Sequence, residues 1–223
     1  METSGQPEQS QGVRETQELN CALCPTYICR KGYRDLGPPN CPMNGDFPTT
    51  QELYGDREDL LALSRTAAII EGEGYRRWTR GEEIVELARR LGMQRVGLAA
   101  CQDMDPEVDT YARWLEDEGL QALRARDGCS DHRCAPREQA IFLNRSGSRL
   151  NLVMGMCVGH DGLFMRASQA PVTAFIARDT FLRHNPVAAL HTRTTYFDGP
   201  LHTAHREAKA EAGLGPEALR QAA

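Results

Sequence analysis

The chain has 223 residues, 31 acidic against 26 Lys and Arg, for a formal net charge of −5. That length suits one α/β domain of about 150 residues with a smaller appendage. The negative charge, with no basic stripe, excludes broad nucleic-acid binding, which draws its affinity from cations that neutralise phosphates.

No run approaches the roughly 18 apolar residues of a membrane span, and the opening METSGQPEQSQGVRETQELN has no apolar export signal. The sequence therefore predicts a cytoplasmic protein with no membrane partner. Residues 1–19 are mostly Gln, Glu, Ser and Gly; ordering them would cost backbone entropy without burial in return, which predicts a disordered tail. Residues 20–48 hold four of the eight cysteines, several turn formers and few aliphatics, so something other than a hydrophobic core must fold them.

Residues 49–93 read as a helical segment. Leu53, Leu60, Leu61, Leu63, Ala67, Ile69 and Ile70 give one apolar face before Gly72 and Gly74. A second helix opens at a capping box formed by Thr79 and Glu82 and ends at Gly92. Residues 94–204 then alternate strand and helix. Strands are predicted over 95–100, 120–126, 150–156 and 172–177, with helices from Asp105 and over 136–144 and 161–168. This order predicts an α/β domain with a Rossmann-like, doubly wound, mostly parallel sheet of about four strands. Residues 205–223, rich in Ala, Glu and Arg, read as a peripheral helix or tail.

Without an export signal, clustered cysteines mean metal or catalysis more often than disulfides. Cys21 and Cys24 form a C-x2-C pair, Cys29 follows after four residues and Cys41 after eleven more. A C-x2-C turn can aim two sulfurs at one ion, and Cys29 and Cys41 can complete a tetrahedral Zn site or hold an iron–sulfur cluster. Four buried but unrelated cysteines would need apolar surroundings that this segment lacks. Thiol–disulfide exchange by Cys21 and Cys24 has no βαβ context to support it.

The other four cysteines map to one edge of the predicted sheet. Cys101 ends the first strand, Cys157 the third, and Cys129 and Cys134 follow the second. Ligands of open parallel sheets bind beyond the carboxyl ends of the strands, so these thiols form a second candidate site, with a [4Fe-4S] cluster or a metal ion as its cofactor. The helix opening at Pro136 is expected to stabilise a Cys134 thiolate. His160 and Asp161 add groups able to move protons, Gly159 permits close approach of a bound group, and His184 could join from the next loop. The competing reading treats Cys101 and Cys157 as small core residues at strand ends.

Together, Cys21-x2-Cys24-x4-Cys29 through Cys41-Pro42, Cys134 ahead of a helix, Leu152-Val-Met-Gly-Met-Cys157-Val-Gly-His160-Asp161, Ala170-Pro-Val-Thr173 and His184-Asn-Pro-Val-Ala-Ala189 form a specific pattern. In these residues the chain resembles DUF1847, a family of uncharacterised cysteine-rich metal-binding proteins, from about Cys21 to about His191. The resemblance implies metal ligation and names no reaction.

Two functions follow as expectations. One is a metalloprotein whose first site is structural and whose second handles a small molecule or an electron partner. The other is a non-catalytic metal carrier, redox or metal sensor, or adaptor. No nucleotide-binding glycine fingerprint, P-loop or G-x-S-x-G elbow occurs.

Overall fold

The computed structural model describes residues 21–33, 36–38, 41, 43, 48, 50–126, 134–194 and 207. The expected tail over 1–19, Cys129 and all of the segment 205–223 except Glu207 lie outside the described residues. The chain divides into two compact units, Met1–Leu61 and Ala62–Ala223.

In the first unit, Cys21–Leu23 and Ile28–Lys31 are short 3-10 turns, and α1 spans Thr50–Tyr54. The single helix expected from Thr50 is instead two. Gly55, at φ 48°, breaks it, and α2 runs over Glu58–Gly74. Gly72 therefore lies inside α2, and Gly74 is its last residue. Gly74 ends the helix against Trp78, whose Cε3 would stand 2.5 Å from any Cβ placed there.

In the second unit, α3 spans Arg80–Arg90 behind the expected capping box. The Thr79 amide donates to Glu82 Oε2 at 2.6 Å, and the Glu82 amide donates to Thr79 Oγ1 at 3.4 Å. Beyond it come β1 (Arg95–Ala100), α4 (Asp105–Asp117), β2 (Gln121–Ala125), α5 (Pro136–Arg145), β3 (Leu150–Met154), α6 (Val158–Ala167), β4 (Val172–Ile176) and α7 (Val187–His191). The four strands form one parallel sheet in the order β2-β1-β3-β4, with Val96 opposite Leu150 and Ala99 opposite both Ala125 and Val153.

The period of two along the strands divides the core into two layers. Val96, Leu98, Leu150, Leu152 and Met154 pack with Ile84, Val85 and Ala88 of α3 and with Val108, Tyr111, Ala112 and Leu115 of α4. Ala99, Val153 and Met156 pack on the opposite face with Ala140 and Leu143 of α5 and Phe164 of α6. Helices cover both faces, which is why β1 and β3 are apolar along nearly their whole length. Asn151 is the exception on β3. Fully buried, it donates from Nδ2 to Ser168 Oγ at 2.8 Å. Among the described residues no helix is long and apolar enough to cross a membrane.

Candidate functional site

The strand order reverses between β1 and β3. At such a reversal the helices leaving the two neighbouring strands diverge to opposite faces and open a crevice at their carboxyl ends. Cys101 follows β1 directly, and Cys157 follows β3 after Gly155 and Met156. Cys134 comes to the same place two residues ahead of α5. Cys101, Cys134, Cys157 and His160, with Gln139 and Met156, line one small recess. The structure thus brings together three of the four cysteines expected at this edge. Cys129, the fourth, lies outside the described residues.

Each of the three thiols occurs at the amino end of a helical segment. Cys101 caps the 3-10 turn Gln102–Met104 that leads into α4, and its carbonyl accepts from the Met104 amide at 2.9 Å. Cys157 is the N-cap of α6, accepting from the His160 and Asp161 amides at 2.8 and 3.1 Å. Cys134 precedes Ala135, the N-cap of α5. Neither the Cys101 nor the Cys157 side chain makes a capping hydrogen bond at its own helix end. A helix amino end carries partial positive charge, which favours bound negative charge at this end of the sheet.

Cys101 and Cys134 are half-buried and Cys157 is exposed. Core filling at strand ends, the competing reading of Cys101 and Cys157, does not describe them.

The residues around Cys157 correct the sequence expectation in two ways. α6 begins at Val158 and not at Asp161, so His160 and Asp161 belong to its first turn and not to a loop. The cause is the extended Cys157 backbone, at φ −64° and ψ 149°, which takes the N-cap role itself. His160 then lines the recess, whereas Asp161 is not among its lining residues. Asp161 Oδ1 is buried without a partner, and this burial holds the carboxyl above its ordinary range while His160 pulls the other way. A Cβ on Gly159 would meet nothing within 4 Å, so protein packing does not require that glycine. His184 does not join the recess; its Nδ1 accepts from the Asp179 amide at 3.3 Å within its own loop.

Sequence reasoning missed two residues. Gln139 is 3% exposed, donates from Nε2 to the Ala100 carbonyl at 3.0 Å, and leaves Oε1 without a hydrogen-bond partner. A Gln in an amphipathic helix reads as surface, and only the placement of α5 over the end of β1 buries it. Arg178, just after β4, donates from Nη1 to the Gly155 carbonyl at 3.2 Å and from Nη2 to Asp103 Oδ2 at 2.6 Å. The Asp103 hydrogen bond, aided by the Cys101 and Cys157 sulfurs nearby, raises its already high pKa.

In the first unit, two of the four cysteines accept backbone amides. Tyr27 N donates to Cys24 Sγ and Met43 N to Cys41 Sγ, both at 3.4 Å. Backbone amides of Thr26 and Tyr27 hold the Cys24 thiol below its ordinary value. Cys21 is exposed, while Cys24, Cys29 and Cys41 are half-buried. Among the described residues no group of three or more His, Cys, Asp and Glu is arranged to hold a metal ion.

The family model for "Protein of unknown function (DUF1847)" matches residues 43–126 and 122–175, more than half of the chain. The matched stretch takes in Cys101, Cys129, Cys134, Cys157, His160 and Asp161; the resemblance noted at Cys21–Cys41 and at His184 falls outside it. The chain is also 28% identical over 193 residues to the uncharacterized protein MJ0455 of Methanocaldococcus jannaschii, covering 78% of this chain and 95% of the relative. No solved structure matches. The chain belongs to the DUF1847 family of proteins of unknown function.

Proposed function

We propose that the protein is a cysteine-ligated metal protein with its working site in the recess at the ends of β1 and β3, acting on a small molecule or exchanging electrons with a partner protein. The observation that carries this reading is the convergence of Cys101, Cys134, Cys157 and His160 on one recess. Three thiols and an imidazole are soft and borderline donors that select Zn or iron–sulfur clusters over hard cations. Rotamer changes of the thiols are the proposed route by which they close around an ion. Cys129, on the chain between β2 and α5, is proposed as a fourth ligand. Where a ligand position stays open, the metal supplies Lewis-acid or electron-transfer chemistry, and His160 stands where it can take or give a proton.

Cys21, Cys24, Cys29 and Cys41 are proposed to hold a second, structural metal, Zn or an iron–sulfur cluster. The amide bonds to Cys24 and Cys41 support this, because they favour the thiolate a metal requires. Metal binding then supplies folding energy to a segment without a core of its own.

Anaerobic purification followed by metal and labile-sulfide analysis and a visible spectrum tests the proposal. Wild-type protein is expected to carry metal at two sites, Cys134→Ser and Cys157→Ser only at the Cys21, Cys24, Cys29 and Cys41 site, and Cys24→Ser only at the recess. Equal metal content in all four proteins sinks the two-site reading, and a colourless protein with zinc and no sulfide removes the cluster. The exposure of Cys157 favours a second reading, a metal carrier or redox sensor. Metal lost to a mild chelator within minutes, with no change in fold, would select it.

A further inference from the structure

Arg178 is tied by hydrogen bonds to both strand-end loops of the recess. Through Nη2 it holds Asp103, two residues after Cys101; through Nη1 it holds the carbonyl of Gly155, two residues before Cys157. The backbone closes the same join, with the Gly155 amide donating to the Ile176 carbonyl at 2.7 Å. We propose that Arg178 is the positioning and charge-balancing residue of the recess, clasping the Cys101 and Cys157 loops together and setting its guanidinium against the thiolates of the metal-bound site. This inference rests on the metal reading of the recess given above.

Three features of the geometry give it a role beyond that of a surface ion pair. First, the Arg178 side chain is 19% exposed while its Asp103 partner is 69% exposed. The guanidinium is thus the less water-screened member of the pair. Second, the planar fork reaches a carbonyl on one side and a carboxylate on the other, a geometry that a single ammonium cannot reproduce. Third, a divalent ion held by three or four thiolates carries net negative charge, and such a centre, half-buried at the sheet edge, needs a fixed counter-charge.

The test is metal titration of the full-length, reduced, metal-free chain with Zn2+ against a competing chelator, and with Co2+ read by its thiolate absorption. Wild-type protein takes up two equivalents if both proposed sites exist, and Cys134→Ser marks which equivalent belongs to the recess. Arg178→Gln is expected to weaken the recess equivalent by about 10- to 100-fold, the range typical of residues that orient metal ligands. The first-unit equivalent serves as an internal control and should not move. Arg178→Lys, which keeps the charge but not the fork, should recover part of the loss. If the centre is a cluster, Arg178→Gln should also lower its midpoint potential, because removing a cation favours the oxidised state. Unchanged recess affinity in Arg178→Gln, or equal weakening of both equivalents, overturns the assignment. Absence of a recess equivalent in wild-type protein is a separate result that overturns the metal reading itself.

Discussion

Gly155 and Met104 interlock the two strand-end loops of the recess. Gly155 lies at φ 64°, and a Cβ on it would stand 2.5 Å from Met104 Cγ and 2.8 Å from Met104 Sδ. Met104 is 3% exposed and belongs to the loop that Cys101 opens; Gly155 belongs to the loop that leads to Cys157. A left-handed backbone and a close side chain therefore ask for glycine at the same position, for independent reasons.

Gly155→Ala should cost about 1 to 2 kcal/mol for the backbone conformation, with a further overpacking cost against Met104 of similar size. Urea unfolding measures the total. In a double-mutant cycle, Met104→Ala should relieve the overpacking part and leave the backbone part. Strict additivity of the two substitutions would show that the predicted contact does not form.

Tyr111 gives a second stability prediction. Its hydroxyl donates to the Gly81 carbonyl at 2.9 Å in the buried layer between α3 and α4, and burial pushes the phenol well above its ordinary range. The ring also packs against Trp114 and Phe175. Tyr111→Phe keeps the ring and removes a second hydrogen bond from a carbonyl that α3 itself pairs, so the loss should be about 1 kcal/mol. A loss near zero in urea unfolding would mean that water reaches that carbonyl.

How much of this was readable beforehand depends on the range of the interaction. The strand at Arg95–Ala100 and the capping box at Thr79 and Glu82 are local, and period or spacing reveals them. Convergence of Cys101, Cys134 and Cys157 followed from the strand–helix alternation, because successive parallel strands end on the same side. α6 starts three residues ahead of the sequence expectation because Cys157 is an unusual N-cap and Gly159 a poor helix former. Arg178 and Gln139 were not legible at all. Their roles depend on which loop or helix lies across the sheet end, a relation between residues some 40 to 75 positions apart.

Glu82 gives a pH prediction of the ordinary carboxylate sign. The Thr79 amide, and then the Thr79 hydroxyl, hold its carboxyl below the usual range. A depressed pKa in the folded state contributes stability above the unfolded value of about 4.3, and that contribution is lost as pH falls through the folded pKa. Glu82→Gln keeps the capping geometry and removes the titration. Stability of the wild type relative to Glu82→Gln should therefore decline below about pH 4.5, as read by urea unfolding at a series of pH values. A constant difference across that range would place the carboxylate in solvent and not in the cap.

Asp161 carries the opposite sign. Burial of Oδ1 without a partner raises its carboxyl pKa, with His160 opposing, so the fold favours the neutral acid. A raised pKa contributes stability that is fully present below the unfolded value of about 3.9 and disappears as pH rises through the folded pKa. At neutral pH the ionised carboxylate is carried at a cost, and Asp161→Asn removes that cost while keeping the shape. In metal-free protein, Asp161→Asn should gain on the wild type between about pH 4 and pH 7 and be the more stable of the two at neutrality. Parallel stability curves would mean that the first-turn amides of α6 already balance the charge. Asp161 would then have no reserve of protonation to offer the neighbouring His160, and His160 alone would remain as the proton-handling group at the recess.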